Sequence, residues 1–257
     1  MVEARGDKAT TATMRKRLLR RMGRTIEKFS LIGEGDRILV AISGGKDSYT
    51  LLDLLVGLQS AAPISFELVA VHVDQGQPGY DGRPLEEWLA GFGCEFEIVR
   101  RDTYSKVVEV TPPGKAYCAP CSRMRRGILY STAERLGCNK IALGHHREDA
   151  VETFLMNAFY SGKLHTLPPH YETEDGRFEV IRPLIECPED DIVANSNEVG
   201  YPILPCNLCG SQDGLRRQRV KSLLAELEQE HPDIRGNLLA ALGNVDPSRL
   251  LDPRYQE

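Results

Sequence analysis

The residues best suited to chemistry stand in one glycine-containing loop, which reads Ser-Gly-Gly-Lys-Asp-Ser at residues 43–48. An apolar run from Ile38 to Ile42 precedes the loop, and residues 49–56 follow it with apolar side chains at helical spacing. A strand, a glycine turn and a helix start direct backbone N–H groups and the positive end of the helix dipole at an anion. Lys46 adds a mobile positive charge. The loop therefore predicts a phosphate-binding site.

Glycine gives this loop its expected shape, because Gly44 and Gly45 allow a close approach of the backbone and a positive φ. An ordinary strand-to-helix turn that happens to contain glycines is the alternative. The loop differs from the Walker A motif, which has four residues between its first glycine and its Gly-Lys pair. We predict that nucleotide contacts come from the strand end and the loop, at Ala41, Ser43, Gly44, Gly45, Lys46, Asp47 and Ser48.

Two Cys-x-x-Cys pairs, Cys118 with Cys121 and Cys206 with Cys209, form the second group of reactive residues. This spacing lets two thiolates bind one metal ion or cluster. Four thiolates would suit Zn²⁺ or an iron–sulfur cluster, whereas three would leave one iron of a four-iron cluster open. A thioredoxin-like redox pair and cysteines without a ligand role are the alternatives. Three arginines that would favour deprotonated sulfurs follow the first pair, at Arg123, Arg125 and Arg126.

Further polar residues follow two other predicted strands, at the edge where a doubly wound sheet binds nucleotides. His72 ends one strand and is a candidate for the adenine pocket, although a strand-end histidine needs no such role. Gly144 ends the strand at 140–144, which puts it near the phosphates, and Asp149 after it is a candidate proton acceptor or Mg²⁺ ligand. A single metal site made of residues 145–149 is disfavoured, because adjacent residues rarely all face one ion.

The elements that must position these residues alternate between strands and helices. This pattern predicts an α/β fold with a doubly wound, mostly parallel sheet and helices on both faces. The predicted strands are residues 38–42, 66–74, 94–99, 140–144 and 178–184. A long loop is predicted over residues 162–176 and an amphipathic helix over residues 223–245. Along the chain we expect a disordered tail at 1–13, a basic helix at 14–33, a nucleotide-binding domain at 34–200, and at 201–257 a cysteine-containing segment with helices packed on that domain.

Basic side chains cluster in two places, although the formal net charge of the chain is −5. A nucleic-acid partner would therefore be held by local patches rather than by the overall charge. Each patch is either a solvated helix face or a contact with a phosphate backbone. The candidate RNA contacts are Arg17, Arg20, Arg21 and Arg24 in the N-terminal helix, and Arg216, Arg217 and Arg219 after the second cysteine pair.

The composition, with 41% hydrophobic and 27% charged residues, is typical of a globular chain rather than a disordered one. No apolar run approaches the length of a membrane span, and the N-terminus has no apolar signal-peptide core. We therefore expect a cytoplasmic protein without a membrane partner. In such a reducing compartment, seven cysteines argue for metal or redox chemistry rather than for a disulfide framework.

Four stretches together resemble the tRNA 2-thiocytidine synthetase family of the PP-loop ATP pyrophosphatase superfamily. They are the loop at 43–48, the first cysteine pair with its arginines at 118–127, Leu-Gly-His-His-Arg-Glu-Asp at 143–149, and Pro-Cys-Asn-Leu-Cys-Gly-Ser-Gln at 205–212. The loop alone indicates only the superfamily, whereas the last stretch with the upstream cysteines is more specific. Glu148 stands where the family often has aspartate, but Asp149 is kept.

The resemblance implies an enzyme that replaces O2 of cytidine 32, in the anticodon loop of tRNA, with sulfur. ATP would be cleaved to AMP and pyrophosphate with Mg²⁺, and a [4Fe–4S] cluster with an open iron would carry the sulfur. The implied catalytic residues are Lys46, Arg125 and Asp149. The implied cluster ligands are Cys118, Cys121 and Cys209, although spacing alone does not choose Cys209 over Cys206. Expected partners are tRNA, a sulfur donor such as a cysteine desulfurase, and a second copy of the chain in a homodimer.

Three other functions stay open at the level of the sequence. The nearest is the same chemistry on another tRNA base, such as a uridine. Lysidine synthetase belongs to the same superfamily but needs no cysteine pairs, so the cysteines of this chain count against it. A non-catalytic RNA-binding protein stabilised by Zn²⁺ would contain zinc in place of iron and acid-labile sulfide. Such a protein would also release no pyrophosphate in response to tRNA.

Overall fold

The computed structural model describes residues 4–112, 117–204 and 212–255, apart from the side chains of residues 4–12, 118, 119 and 212–215. The strands of the described chain are β1 (Asp36–Ile42), β2 (Phe66–Asp74), β3 (Glu95–Arg100), β4 (Lys140–Ala142), β5 (His170–Glu172) and β6 (Glu179–Ile181). Its helices are α1 (Ala4–Lys28), α2 (Lys46–Gln59), α3 (Arg83–Phe92), α4 (Tyr104–Val110), α5 (Cys118–Arg135), α6 (Arg147–Ser161), α7 (Glu189–Val199), α8 (Gln212–Glu230) and α9 (Ile234–Leu242).

The six described strands form one sheet in the order β3-β2-β1-β4-β6-β5. Neighbouring strands are parallel except β5, which runs antiparallel to β6. The chain builds β1, β2 and β3 outward and then returns to add β4 on the other side of β1. Because of this reversal, a crevice opens between the carboxyl ends of β1 and β4. The predicted doubly wound, mostly parallel sheet is confirmed.

Strand β1 is apolar on both faces, because successive side chains of a strand point to opposite sides of the sheet. Val40 packs with Leu52 of α2 and Ile192 of α7 in one buried cluster. Leu39, the preceding residue, packs on the other face with Ala133 of α5. Helices therefore cover both faces of the sheet, and the carboxyl ends of the strands are the edge left for a binding site.

Helix α1 begins at Ala4, so the predicted disordered tail over 1–13 is wrong from residue 4 onward. Alanine has the highest helix propensity, and the segment before residue 14 contains several alanines. Leu18 and Met22 are fully buried against the sheet. Arg15 of α1 pairs with Asp53 of α2 through an Nη2–Oδ1 distance of 3.0 Å. These contacts attach the basic helix to the sheet and α2.

Two other elements differ from the sequence predictions. Strand β5 lies inside the stretch 162–176 that was predicted as loop, since Tyr171 pairs with Val180 of β6. The helix predicted over 223–245 is divided between α8 and α9, because Pro232 lacks the N–H that a continuous helix needs. Among the described residues, no helix has the length and apolar character to span a membrane.

Candidate active site

A cleft of about 510 Å³ opens at the carboxyl ends of the central strands. Residues of β1, β2, β4 and α5, the loop after β2 and the first turn of α6 line it. Its size suits a small-molecule site, and its position is where doubly wound sheets bind nucleotides. The predicted site residues that line it are Ala41, Ser43, Asp47, Ser48, His72, Arg125, Gly144 and Asp149.

The loop at 43–48 is held in shape by its two serines. The N–H of Ser43 donates to Oγ of Ser48 over 3.1 Å, and that hydroxyl donates to the carbonyl of Gly45 over 2.9 Å. The N–H of Gly45 donates to Oγ of Ser43 over 3.3 Å. Helix α2 begins at Lys46 with no side-chain cap. Its first N–H groups are therefore positioned to receive an anion.

Gly44 has a φ of +85°, as predicted, whereas Gly45 has an extended backbone with a φ of −90°. The predicted positive φ at Gly45 is therefore wrong, since α2 begins there from an extended residue. A Cβ at Gly44 would lie 3.0 Å from the side chain of Leu204, whose N–H donates to the Gly44 carbonyl over 2.9 Å. The segment just before the second cysteine pair is thus attached to the loop at 43–48, called the phosphate loop below after its predicted ligand.

Gly144 brings the end of β4 directly against the phosphate loop. A Cβ at Gly144 would lie 3.1 Å from the backbone carbonyl carbon and oxygen of Asp47 and 3.2 Å from the amide nitrogen of Ser48. Real Cβ atoms rarely come so close to backbone, so any side chain here would displace the loop. The glycine predicted to lie near the phosphates therefore supports the loop that would hold them.

Lys46 lies in an ion-pair network beside the cleft rather than among the residues that line it. Its Nζ is 3.0 Å from Oδ1 of Asp47 and 2.9 Å from Oε1 of Glu189. Burial works against its charge, but the hydrogen bond with Glu189 and the charge of Asp47 outweigh burial and raise the pKa of Lys46. The lysine is therefore firmly protonated and held by two carboxylates.

Four carboxylates approach the ring of His146 at the start of α6, and three of them face Nε2. Nε2 of His146 lies 3.7 Å from Oδ1 of Asp47, 3.5 Å from Oδ2 of Asp149 and 3.8 Å from Oε1 of Glu189. Burial opposes its charge, but Glu148, whose Oε2 lies 3.3 Å from Nδ1, and the other acidic neighbours raise the pKa of His146. These carboxylates therefore favour the protonated, positively charged form of His146. Within the described side chains, no three His, Cys, Asp or Glu residues form a metal site by themselves.

Asp149 faces the cleft and is fixed from two sides. Its Oδ2 accepts the N–H of His146 over 3.1 Å, which ties it to its own helix start. Its Oδ1 accepts from Nη1 of Arg217 in α8 over 3.3 Å, and Nε of Arg217 lies 3.7 Å from the buried Glu152. Asp149, the candidate proton acceptor, is thus oriented by α8.

His72 lines the cleft, but both of its ring nitrogens have partners within the protein. Nδ1 lies 2.8 Å from the carbonyl of Ile42, and Nε2 lies 2.6 Å from the hydroxyl of Tyr80. A carbonyl only accepts, so Nδ1 carries the proton and Nε2 accepts from Tyr80. Burial is the main cause that lowers the pKa of His72. His72 therefore holds the loop after β2 against the cleft.

Arg182, which the sequence predictions do not include, is a buried cation that lines the same cleft. Its Nε donates to Nδ1 of His145 over 3.2 Å, and its Nη1 donates to the carbonyl of Pro168 over 2.7 Å. Its guanidinium carbon lies 5.2 Å from the centre of the Tyr171 ring. Burial lowers the pKa of His145 to about 4, so this histidine is neutral and accepts the hydrogen bond.

The predicted cluster ligands are described only in part. Cys121 is half-buried on α5, and its Sγ donates to Oε1 of Gln75, a cleft residue, over 3.1 Å. Cys118 begins α5 one helical turn earlier, but its side chain is outside the described atoms. Cys206 and Cys209 lie outside the described residues. The cluster and its third ligand therefore stay predictions.

The predicted RNA-contacting arginines divide into two groups. Arg17 pairs with Asp191 through an Nε–Oδ2 distance of 2.9 Å, and Arg21 donates to the carbonyl of Glu186 over 3.1 Å. Together with Arg217, which binds Asp149, these side chains support the fold. The predicted contacts that stay exposed with neither an ion pair nor a hydrogen bond within the described chain are Arg20, Arg24, Arg216 and Arg219.

Other cleft residues absent from the sequence predictions come from loops and helix faces. Arg182 follows the apolar pair Val180-Ile181 at the carboxyl end of a predicted strand. The same rule that selected His72 would therefore have found it. No local signal marks the remaining residues, because distant segments bring them to the cleft. Those with polar groups on long side chains or rings are Gln75, Gln77, Tyr80, Tyr130 and Tyr171.

Comparison with known sequences places most of the chain in one family. Residues 14–225 match the PP-loop domain family. A tRNA-cytidine(32) 2-sulfurtransferase from Anaeromyxobacter dehalogenans is 54% identical over 93% of this chain and 82% of its own length. Enzymes of the same name are 50% identical in Aeromonas salmonicida, over 96% of this chain and 82% of theirs, and 51% identical in Pseudomonas putida, over 93% and 87%.

Comparison with solved structures agrees on the fold. A U34-tRNA thiolase, NcsA from Methanococcus maripaludis, solved with its [4Fe–4S] cluster, superposes with a TM-score of 0.72. The match covers 91% of this chain and 79% of the thiolase at 23% sequence identity. At this level of identity, the similarity establishes the shared PP-loop architecture.

Proposed function

The chain belongs to the family of tRNA-cytidine(32) 2-sulfurtransferases, and we propose that it activates O2 of that cytidine with ATP before sulfur replaces it. A base carbonyl oxygen is a poor leaving group. Attack of O2 on the α-phosphorus would form a C–O–P linkage and release pyrophosphate. Attack of sulfur at C2 would then break the C2–O bond and release AMP.

One observation carries this proposal: the phosphate loop, Asp149 and the cysteine-bearing helix α5 border a single cleft. Ser43 and Ser48 line it from the loop, and Ser122 and Arg125 line it directly after Cys121. ATP must activate the same base to which sulfur is delivered. The residues that bind ATP and those that deliver sulfur must therefore border one cavity. The cleft meets that requirement.

The phosphate loop would hold ATP through the free N–H groups at the start of α2 and their aligned dipole. Lys46 pairs with Glu189 and Asp47. When ATP binds, the ammonium group of Lys46 would move from these carboxylates to a phosphate. Mg²⁺ usually binds one or two carboxylates together with substrate phosphates. Asp47 or Asp149 would supply those carboxylates here, since both line the cleft.

Asp149 would position the reacting base or accept a proton, since it lies in the cleft with a fixed orientation. Arg125, half-buried in the same cleft, would stabilise the negative charge that develops on the α-phosphate. In both roles, the charged group of the side chain would act directly on the reacting atoms. The arrangement needs no proton transfer over a long distance.

The donor set at the cleft edge fits an iron–sulfur cluster. Cys118 and Cys121 occupy positions i and i+3 of α5, which share one helix face. Cys121 is half-buried beside the cleft, next to the polar side chain of Gln75. With Cys209 as third ligand, a [4Fe–4S] cluster bound here would supply the sulfur that replaces O2.

An exposed aromatic pair offers a contact for the single-stranded part of the tRNA. Phe159 and Tyr160 are 56% and 46% exposed, and the guanidinium carbon of Arg216 lies 5.1 Å from the centre of the Tyr160 ring. RNA-binding proteins stack unpaired bases on such rings. Along α6, a rise of 1.5 Å per residue puts Tyr160 about 16 Å from Asp149. Neighbouring nucleotides of one loop would reach both places.

Mass spectrometry of nucleosides from tRNA treated with cluster-loaded enzyme, ATP and a sulfide source tests this function. We expect 2-thiocytidine and an equal amount of pyrophosphate. Formation of 2-thiouridine would support the same chemistry on another base instead. Absence of any thiolated nucleoside from a preparation that contains iron and sulfide would contradict the proposal.

A further inference from the structure

Arg182 is a buried cation whose hydrogen-bond partners are all neutral. Arg182 is 5% exposed, and its guanidinium donates hydrogen bonds to His145 and to the carbonyl of Pro168. The ring of Tyr171 lies beside it. In the described parts of the chain, no carboxylate oxygen lies within 4.0 Å of its guanidinium nitrogens. The charge is thus buried without an ion-pair partner.

Such a group is unfavourable unless a ligand completes its surroundings. Buried charges in proteins are normally paired, because removing a charge from water is costly. Burial lowers the pKa of Arg182, yet arginine keeps its charge in proteins. The guanidinium has five N–H donors, and the bonds to His145 and Pro168 use two of them. The residue is therefore equipped to donate to an acceptor in the cleft.

The position of Arg182 separates it from the phosphate loop. It follows β6, which pairs with β4, and β4 pairs with β1. Two strand spacings amount to roughly 10 Å between Arg182 and the end of β1. The rings of Tyr130 and Tyr171 line the same cleft and are suited to stack on a base. This part of the cleft therefore suits the substrate base better than the phosphates of ATP.

We propose that Arg182 recognises the target cytosine by donating two hydrogen bonds, one to N3 and one to O2. This inference rests on the function proposed above. Cytosine presents N3 and O2 as adjacent acceptors, whereas N3 of uracil carries a proton and would face a second donor. Arginine has no acceptor with which to satisfy that proton, so uracil is rejected. A carbonyl oxygen has two lone pairs, so O2 keeps one for the attack on phosphorus.

The test pairs a change in the protein with a change in one atom of the RNA. Two anticodon stem-loop RNAs carry either cytidine or 3-deazacytidine, in which N3 is replaced by C–H, at the target position. Cluster-loaded enzyme is compared with Arg182→Lys, which keeps the charge but loses the two-pronged geometry. Arg177→Lys is the matched control, because Arg177 pairs with Asp175 and Glu134 outside the cleft.

We expect the unmodified enzyme and the Arg177→Lys control to prefer cytidine by about 5-fold to 150-fold in kcat/KM, the range of one bidentate arginine contact. Arg182→Lys should reduce this preference to about one, with unchanged half-saturation by ATP. Competition binding of the two RNAs measures the same ratio without turnover, so an inactive variant still gives an answer. ATP binding by that variant shows that it is folded.

Two results would overturn the assignment. If Arg182→Lys keeps the full preference for cytidine, the guanidinium does not read N3. If the variant instead needs more ATP while its preference is unchanged, Arg182 serves the nucleotide. Failure of the unmodified enzyme to thiolate the cytidine RNA would remove the proposed function and this inference with it. Thiolation with an unaltered preference in the variant removes the inference alone.

Discussion

Arg217 donates a hydrogen bond to Asp149 across 3.3 Å, joining the helix that follows the second cysteine pair to the candidate proton acceptor. The same helix bears Lys221, whose Nζ lies 3.6 Å from Oε1 of the buried Glu152 and 3.8 Å from Oε2 of Glu189. The C-terminal segment is thus connected through charged side chains to the acidic cluster beside the phosphate loop. A substitution in α8 should therefore affect the carboxylates beside the phosphate loop.

Replacing Arg217 with glutamine should lower kcat by roughly 5-fold, because a partly exposed ion pair contributes about 1 kcal/mol. Asp149 would lose the partner that orients it from α8, while its bond to the His146 N–H would stay. Single-turnover thiolation at saturating ATP measures the effect. Arg219→Gln is the control, since Arg219 is exposed on the same helix. Equal loss in both variants would show that only the charge of α8 matters.

Replacing Gly144 with alanine should weaken ATP binding at least 10-fold and destabilise the fold by about 1–3 kcal/mol, as overpacking does. The new Cβ would lie 3.1 Å from the backbone of Asp47, which cannot move without distorting the phosphate loop. Calorimetric titration with ATP and chemical denaturation measure the two effects. Gly91→Ala serves as control, because nothing lies within 4 Å of that position. Unchanged ATP affinity in Gly144→Ala would contradict the assigned close approach.

Replacing Glu148 with glutamine should make stability less dependent on pH in acid. Burial alone would raise the pKa of Glu148, but the adjacent His146 ring, together with hydrogen bonds from Arg147 and the N–H of Glu189, outweighs burial and lowers the pKa from 4.5 to about 2. Because the folded pKa is depressed, this carboxylate stabilises the fold above pH 4.5, and the contribution is lost as the pH falls toward 2.

The corresponding free energy is on the order of 3 kcal/mol, since one pKa unit equals about 1.4 kcal/mol. Urea denaturation at several values between about pH 5 and pH 3 measures the slope of unfolding free energy against pH. The slope should be shallower in Glu148→Gln than in the unmodified protein. The control is Glu109→Gln, the same change at an exposed carboxylate that pairs with Lys106. Parallel curves for all three proteins would refute the role given to Glu148.

Replacing Tyr160 with alanine should weaken tRNA binding by about 5-fold to 150-fold, the range of one base–aromatic stack, and leave ATP binding unaltered. Tyr160 is exposed and lies under the guanidinium of Arg216. Fluorescence anisotropy with a labelled anticodon stem-loop measures the change. Phe96→Ala removes a comparably exposed ring from edge strand β3 and should leave the affinity intact. Tight RNA binding by Tyr160→Ala would exclude the aromatic pair as a contact.

The sequence predicts those parts of the molecule whose cause is local. Strand β2 has the bounds that the sequence predicts, Phe66 and Asp74, and the carboxyl-edge rule selected His72 and Gly144, which line the cleft. Contacts between distant segments have no such local signal. The pairing of Tyr171 with β6, the ion pair of Lys46 with Glu189, and the bond from Arg217 to Asp149 each depend on the completed fold.

The central claim, that O2 of the cytidine is adenylated before it leaves, is tested by following that oxygen atom. A tRNA anticodon stem-loop carrying ¹⁸O at O2 of the target cytidine is thiolated in a single turnover, and the released products are examined by mass spectrometry. The account predicts that the ¹⁸O is found in the phosphate group of AMP. Its appearance in inorganic phosphate or in water, with unlabelled AMP, would contradict the account.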